Sequence, residues 1–193
     1  QNGESDISVS MPATSLELFS DTELYNVDGV AGSRGQVIFI NYDNEFLKEK
    51  AVRQAISMSI DKEGCADIIN KGASVSTTGL YPDFMDFGGA DGYEYDIEGA
   101  NALLDEAGIK DTDGDGIREL NGKNISLRLV TYSTKAELSK FCSEIASSAK
   151  NIGINITTEV YESVSEQQKT GDFDLLMVSF TMVPTGDPQY FAD

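Results

Sequence analysis

The chain of 193 residues joins an ordinary globular composition to a strongly acidic charge balance: 40% of its residues are hydrophobic and 24% are charged, but 14 Lys and Arg stand against 33 Asp and Glu. A chain of this length and composition can bury a sizeable core, which argues against intrinsic disorder. The formal net charge of -19 repels phosphate backbones and anionic lipid headgroups, so we exclude nucleic acid and bare membrane surfaces as partners.

Missing residue types narrow the chemistry further. The sequence has no histidine, so the commonest general base and the commonest zinc ligand are both missing. Cys65 and Cys142 form no CxxC pattern and fall in predicted helices, which favours buried thiols over a disulfide and leaves the redox compartment open. No apolar stretch approaches the ~20 residues that a membrane span needs. The first residues do not resemble a signal peptide, and with no initiating Met we expect the chain to be a piece of a longer protein.

The first half of the chain is predicted to contain short strands followed by helices. Residues 7–9 are predicted as a short strand and residues 15–19 as a helical turn. The continuous apolar run at 37–40 is typical of a strand covered on both faces. Apolar residues then recur at helical period from 47 to 60, which predicts an amphipathic helix. We interpret Arg53 as a structural residue that ties this helix to a neighbouring carboxylate or to carbonyl groups.

A second helix and a long loop are predicted next. Asp61 is placed to cap a helix over 62–70, and Gly72 is placed to end it. Residues 73–95 show little periodicity, so we predict a long ordered loop whose large apolar side chains are buried. These side chains are Leu80, Tyr81, Phe84, Met85 and Phe87. We interpret the aromatic residues of the loop as packing rather than as a binding surface.

The second half of the chain is predicted to alternate strands and helices regularly. A helix begins at Asp96 and ends at Gly108, and an acidic, Gly-rich turn follows it. From residue 125 onward the order is strand, helix, strand, helix, strand, at residues 125–129, 135–152, 154–160, 165–169 and 173–178. This order predicts the α/β class, with a sheet whose faces are covered by helices.

One segment carries a family resemblance. Residues 51–62, AVRQAISMSIDK, follow a predicted strand that ends in Asn41, and together they closely resemble the signature helix of the extracellular solute-binding proteins of the peptide/nickel type. Further segments resemble that family in the same order along the chain, at residues 2–7, 96–108, 113–118, 121–123, 151–154 and 171–175. Their shared order and spacing extend the resemblance over nearly the whole chain.

The resemblance implies that residues 1–193 form a single lobe of a two-lobed receptor with a periplasmic-binding-protein-like type II fold. Such a protein is the solute-binding component of an ABC importer. It would bind an oligopeptide, a dipeptide or a nickel complex between this lobe and a missing first lobe. An ABC permease in the membrane is then the protein partner. The full-length protein is expected to be an extracytoplasmic, lipid-anchored monomer that requires no cofactor.

There are two alternatives to this function. The first is a peptide-sensing receptor of the same fold, which presents its ligand to a signalling partner, and no sequence motif separates sensing from transport. The second is an enzyme, which needs a nucleophile and a base. The sequence has neither a G-x-S-x-G pattern nor a histidine to pair with a serine, so we predict that the protein is not an enzyme.

An acidic turn is the first candidate site. Its carboxylates occupy positions 1, 3, 5 and 9 of an EF-hand-like loop, namely Asp111, Asp113, Asp115 and Glu119. Gly116 at position 6 permits the sharp bend that turns alternate oxygens toward one point. The pattern fails at position 12, where Gly122 replaces the bidentate Glu and a strand follows instead of a helix. A weak structural Ca²⁺ site and a solvated Asp-Gly turn therefore both stay open.

The loop after the last predicted strand is the second candidate site, because ligands of α/β sheets lie beyond the carboxyl ends of strands. In the family that the chain resembles, this loop faces the cleft, which implies ligand contacts from Phe180, Thr181, Met182 and Asp187. The sequence departs from the family pattern at Pro184, where oligopeptide receptors have an Asp that holds the ligand's amino group. That departure leaves the solute class open. The alternative for Asp187 is a cap on the turn that follows it.

Overall fold

The structure of the protein is a computed structural model that describes residues 6–9, 11, 13–29, 32–69, 74–89, 92–187 and 189. Some predicted features lie outside the described residues. They are the family resemblance at residues 2–5 and the helix end at Gly72.

The strands form a four-stranded sheet and a small hairpin. They are β1 (Arg34–Ile40), β2 (Glu119–Leu120), β3 (Lys123–Asn124), β4 (Ser126–Tyr132), β5 (Asn155–Tyr161) and β6 (Leu175–Thr181). The larger sheet has the order β1-β6-β4-β5, and β2 pairs with β3 in the hairpin. β4 runs parallel to both β5 and β6, whereas β1 is antiparallel to β6. The fold is therefore a mixed α/β sheet, as predicted.

The helices pack mainly on one face of this sheet. After a 3-10 helix at Ala13–Phe19, they are α1 (Lys50–Ser59), α2 (Lys62–Ile69), α3 (Ile97–Glu106), α4 (Ala136–Lys150) and α5 (Ser165–Thr170). α4 lies against β4, β5 and β6, while α1 packs on α3 and α4. Predicted caps are confirmed at two helix starts, where Asp61 accepts from Gly64 N–H and Asp96 accepts from Gly99 N–H, each at 2.8 Å.

The two faces of the sheet carry cores of very different size. Side chains alternate along a strand, so Leu129 and Leu175 point into the main core while their neighbours Val130 and Leu176 point to the opposite face. Leu129 and Leu175 are also direct partners in the β4–β6 register. The main core lies under α1, α2, α3 and α4. The second face holds a small buried cluster: Val130, Val164, Leu176 and Val178.

The central strand and the first strand differ in burial. Residues 175–178 of β6 are all buried, so this strand is covered on both faces. The prediction that residues 37–40, in β1, form a strand covered on both faces is wrong. Within the described part of the chain, β1 pairs with β6 alone and is an edge strand, and its Phe39 is 39% exposed. An apolar run does not distinguish a central strand from an edge strand, because pairing is decided by distant segments.

Two predictions for the amino-terminal half are also wrong. Residues 7–9 form no strand with any described segment, and Val9 is 81% exposed. In the predicted ordered loop, Leu80 is 44% and Phe84 is 52% exposed, although Tyr81 is half-buried. Tyr81 and Phe87 pack edge to face, with ring centroids 5.1 Å apart. The loop therefore has a ring contact of its own and a contact to α2 through the Tyr93 carbonyl, which accepts from Lys62, but leaves Leu80 and Phe84 exposed.

A hydrogen-bonded cluster fixes the start of β6 against β1 and β4. Asn41, just after β1, donates its backbone N–H to the Asp174 carbonyl (2.9 Å) and its Nδ2 to the Phe173 carbonyl (2.8 Å). The Asp174 carboxylate accepts from Asn44 Nδ2 (2.8 Å) and from the Arg128 backbone N–H (2.7 Å). One carboxylate therefore holds β4 and the segment after β1 at the amino end of β6.

We expect Asp174→Ala to lower the free energy of unfolding by about 2–3 kcal/mol, since it leaves an amide and a backbone N–H without their charged acceptor. Urea denaturation of the variant and the parent chain measures this difference. The matched control is Asp43→Ala, whose side chain is exposed and whose loss should cost less than about 0.5 kcal/mol. Equal losses in the two variants would contradict the assignment of Asp174 as the connecting residue.

Candidate functional site

A groove opens at the edge of the sheet where the three parallel strands end. β4, β5 and β6 end at Tyr132, Tyr161 and Thr181, and parallel pairing brings these ends to the same edge. The groove has a volume of about 430 Å³ and is lined by Tyr132, Thr134, residues 162–165, Gln168 and residues 178–180. We call it the carboxyl-edge groove. It lies where α/β sheets bind their ligands.

The lining of the carboxyl-edge groove combines buried apolar residues with exposed polar ones. Val164 and Val178 are each 5% exposed and belong to the small cluster on the second face of the sheet. Thr134, Ser163 and Ser165 are exposed and offer hydroxyl groups. The Oγ atoms of Ser163 and Ser165 are hydrogen-bonded to each other at 3.0 Å. Buried apolar contacts beside a few polar groups are typical of small-ligand sites.

The charge of the groove comes from one residue. Glu162 directly follows β5 and, of the described residues that line the groove, is the only charged one. It is exposed, and the structure shows no ion pair between it and any other described residue. The groove therefore presents an uncompensated carboxylate among neutral hydroxyl groups.

The four residues predicted to contact the ligand are not brought together in this groove. Phe180 is half-buried and lines it, and Thr181 is the last residue of β6, paired with Arg34 of β1. Met182 is only 3% exposed, with its Cε near Gly35 of β1. Asp187 is exposed, and its carboxylate accepts from the Gln189 backbone N–H at 2.9 Å, as expected of a turn cap.

Sequence reasoning missed most of the residues that line the groove. It applied the rule of strand carboxyl ends to the last strand alone, whereas Thr134 follows β4 and residues 162–165 follow β5. The same rule could have found them, because all three strands were predicted and their order implied parallel pairing. Gln168 on α5 has no such signal, since its place depends on how α5 packs.

The acidic turn between α3 and β2 has the predicted bend. Asp111, Asp113 and Asp115 each place a carboxylate oxygen within 4.8 Å of the others, and all three residues are exposed. Gly116 has φ 88°, in the left-handed region that glycine adopts without strain. Asp111 accepts from the backbone N–H groups of Gly114 (2.7 Å) and Gly116 (2.9 Å).

Those backbone hydrogen bonds, from Gly114 first and then Gly116, hold the pKa of Asp111 below its ordinary value. The turn is therefore stabilised while Asp111 is ionised, and it loses this stabilisation as pH falls through the lowered pKa. Glu119 does not join the three aspartates. Its Oε2 accepts from the Thr112 backbone N–H at 2.8 Å, which closes the turn from the other side. Calcium binding here stays a prediction, now centred on the three aspartates.

A second cavity, of about 450 Å³, surrounds Arg118. It lies beside Gly153, just before β5 begins. The Arg118 side chain is 12% exposed and donates to the carbonyls of Ile109 (2.6 Å) and Ile152 (3.1 Å) and to Asp105 (2.6 Å). Its donors are thus engaged in holding the acidic turn to α3 and the end of α4. This cavity lies at the amino end of β5, so we assign it a structural purpose.

With the fold and the groove described, comparison with known proteins identifies the family. The family model of the bacterial extracellular solute-binding proteins, family 5 (middle region), matches residues 1–193. The chain belongs to this family. The resemblance found in the sequence is thereby confirmed.

Relatives of this family 5 chain are longer than it is. The oligopeptide-binding protein AppA of Bacillus subtilis is 31% identical over 153 residues, which cover 74% of this chain and 28% of AppA. The nickel-binding protein NikA of Staphylococcus aureus is 25% identical over 193 residues, which cover 99% of this chain and 37% of NikA. The structure of AppA with a nonapeptide has a TM-score of 0.77 at 25% identity, over 88% of this chain and 35% of that one. The chain thus spans between 28% and 37% of their length.

The named ligands of similar proteins are chemically diverse. Beside the oligopeptide and nickel proteins, a periplasmic alpha-galactoside-binding protein of Rhizobium meliloti is 31% identical over 103 residues, covering 46% of this chain and 14% of that protein. Similarity alone therefore does not select a solute for this family 5 chain. The chemistry of its own groove must be used instead.

The signature helix that carries the family resemblance is structural in this chain. Arg53 on α1 donates Nη1 hydrogen bonds to the carbonyls of Leu47 (2.7 Å) and Lys48 (2.8 Å), and its guanidinium lies 4.8 Å from the centre of the Tyr42 ring. This confirms the prediction that Arg53 ties its helix to carbonyl groups.

In the described part of the chain, no helix combines the length and the apolar character that crossing a bilayer requires.

The burial of Met182 leads to a stability prediction. We expect Met182→Ala to lower the free energy of unfolding by about 2–5 kcal/mol, since it leaves a cavity beside β1. Asp187→Ala should cost only about 0.5–1 kcal/mol, because it removes one exposed turn hydrogen bond. Urea denaturation compares the two variants. A Met182→Ala protein as stable as the parent would show that this side chain is not packed as described.

Calcium binding by the acidic turn has a direct thermal test. If the three aspartates bind Ca²⁺, about 1 mM CaCl₂ should raise the melting temperature more than equal MgCl₂, and Asp113→Ala should remove the difference. Differential scanning calorimetry measures both. Equal shifts from the two ions in the parent protein would reduce the effect to screening of the net charge of -19.

Proposed function

We propose that this chain is the ligand-facing lobe of the solute-binding component of an ABC importer, and that its solute lies in the carboxyl-edge groove. The family match over residues 1–193, together with a groove of about 430 Å³ at the ligand-binding edge of an α/β sheet, carries the proposal. The groove is open, so it supplies one wall of a site that a facing lobe of the full-length receptor would complete.

A peptide is the solute class that the proposal favours. The relative AppA is an oligopeptide-binding protein, and its solved structure contains a nonapeptide. Nickel is less favoured, because this chain has no histidine and cannot offer an imidazole ligand to the metal. A nickel complex that brings its own ligands stays open as a second solute.

The proposed function is binding without chemistry. The lining of the groove contains neither histidine nor cysteine nor lysine, so it offers no activated nucleophile with a nitrogen base. Both cysteines are buried in the main core, where burial raises the pKa of Cys65 to about 11 and that of Cys142 to about 12. Neither thiol is therefore reactive near neutral pH.

The setting of the full-length protein is part of the same proposal. The chain spans 28% of AppA and 37% of NikA, so we expect the remainder of the full-length protein to form a second lobe. We also expect a membrane permease as its partner. The family is extracellular by its description. We propose a lipid-anchored monomer outside the cytoplasm that delivers solute to the permease.

A comparison of the whole receptor with this chain tests the placement of the solute between lobes. Half a cleft leaves much of a ligand exposed to water, so the 193-residue chain should bind peptides no tighter than about 1 mM, or ~4 kcal/mol. The full-length receptor should bind the same peptides several powers of ten more tightly. Isothermal titration calorimetry with a pentapeptide mixture measures both. Micromolar binding by the 193-residue chain would show that this lobe is a self-sufficient receptor.

Uptake measurements distinguish transport from sensing. Deletion of the gene should abolish uptake of the bound peptide by intact cells, and full-length protein should restore it. Deletion that leaves uptake intact but changes the transcriptional response to the peptide would overturn the import proposal in favour of a peptide-sensing receptor.

A further inference from the structure

We propose that Glu162 is a specificity-determining residue that binds a cationic group of the solute, an ammonium or guanidinium, and rejects solutes that place a carboxylate there. The inference rests on the proposed function, because it assumes that the carboxyl-edge groove holds the solute. It names what that groove selects. The predicted ligand contacts at residues 180–187 do not include Glu162.

The position of Glu162 is the first support. It is the residue immediately beyond the end of β5, at the edge where β4 and β6 also end, and it lines the groove beside Ser163. Among the lining residues that the structure describes, it is the only charged one, and none is a lysine or an arginine. The site therefore contains a negative charge with no local counter-charge from the described chain.

Glu159 on β5, three residues before Glu162, is by contrast held in an ion pair. Glu159 accepts from Arg128 at 3.0 Å (Oε1) and 3.1 Å (Oε2), and also from the Tyr161 hydroxyl at 2.8 Å. These bonds, from Arg128 first, hold the pKa of Glu159 below its ordinary value. Arg128 also pairs with Asp172 at 2.9 Å, so each of its three guanidinium nitrogens donates to a carboxylate of Glu159 or Asp172.

The unpaired carboxylate of Glu162 affects binding when the receptor closes over its solute. Glu162 is solvated while the groove is open, but a closed cleft removes water from its lining. A carboxylate that loses water without gaining a cation or several donors is strongly unfavourable. An ammonium or guanidinium of the solute would compensate the lost hydration of Glu162 through charge-assisted hydrogen bonds. A solute carboxylate would instead add charge repulsion to the loss of water.

The surroundings of Glu162 suit a cation in two further ways. An ammonium carries three donors, and Ser163, Thr134 and Gln168, which line the same groove, carry neutral acceptor oxygens. The formal net charge of -19 on the whole chain also attracts cationic solutes over distances of about a Debye length. Neutral polyols would gain from the hydroxyl groups but would leave the charge of Glu162 uncompensated.

Matched peptides and the full-length receptor test the proposal. The probes are the pentapeptides AAKAA, AAQAA and AAEAA, each with a free and with an acetylated amino terminus, and an α-galactoside as a neutral polyol. Wild-type receptor should bind AAKAA, or the free-amine form of each peptide, at least about tenfold more tightly than its acidic or acetylated counterpart. Isothermal titration calorimetry measures each dissociation constant.

The decisive variant is Glu162→Gln, with Glu166→Gln as its matched control. Glu166 is exposed on α5 and does not line the groove, so both variants should melt like the wild type. Glu162→Gln should reduce the preference for the cationic probe by about tenfold, while Glu166→Gln leaves it unchanged. A preference that survives Glu162→Gln would overturn the proposal and would indicate that the facing lobe supplies the counter-charge.

The other outcomes separate this inference from the proposed function. Tight binding without a charge preference, or a preference for AAEAA or for the α-galactoside, would overturn the assignment of Glu162 while leaving a solute-binding receptor in place. If the receptor binds no probe and neither releases a solute on denaturation nor restores uptake, the proposed function fails, and the inference fails with it.

Discussion

The pairing of β6 between β1 and β4 is the constraint on which the rest of the structure depends. β6 is parallel to β4 and antiparallel to β1, and residues 175–178 are buried on both faces. The Asp174 carboxylate fixes this strand at its amino end by accepting from Asn44 and from the Arg128 backbone. Because the register is set there, the opposite ends of β4, β5 and β6 lie together at one edge. The groove forms where these three strand ends meet.

The unequal covering of the two sheet faces explains why the groove is open. Four helices cover the main core, whereas the second face has a small cluster around Val130 and Val178 and the six-residue α5. Beyond this cluster, at the carboxyl edge, polar residues such as Thr134 and Ser163 line the groove. The same asymmetry that stabilises the fold from one side leaves the other side able to form one wall of a binding site.

Acidic residues serve different purposes in different parts of this chain. Asp111 stabilises a turn through backbone hydrogen bonds, and Asp174 joins strands. Glu159 is engaged by Arg128, whereas Glu162 at the groove has no ion pair among the described residues. Net charge alone describes only the long-range field. The partners of each carboxylate decide which of them have a structural purpose.

The sequence by itself determined the α/β class, the helix caps at Asp61 and Asp96, the strand and helix order after residue 125, the purpose of Arg53 and the family. These are local features, set by periodicity, capping chemistry and short motifs. Tertiary structure alone decided that β1 is an edge strand among the described residues and that Met182 is buried. It also decided that Gln168 on α5 lines the groove and that Asp187 is not among its lining residues. Strand neighbours and burial depend on contacts between residues far apart in the chain, which no local pattern encodes.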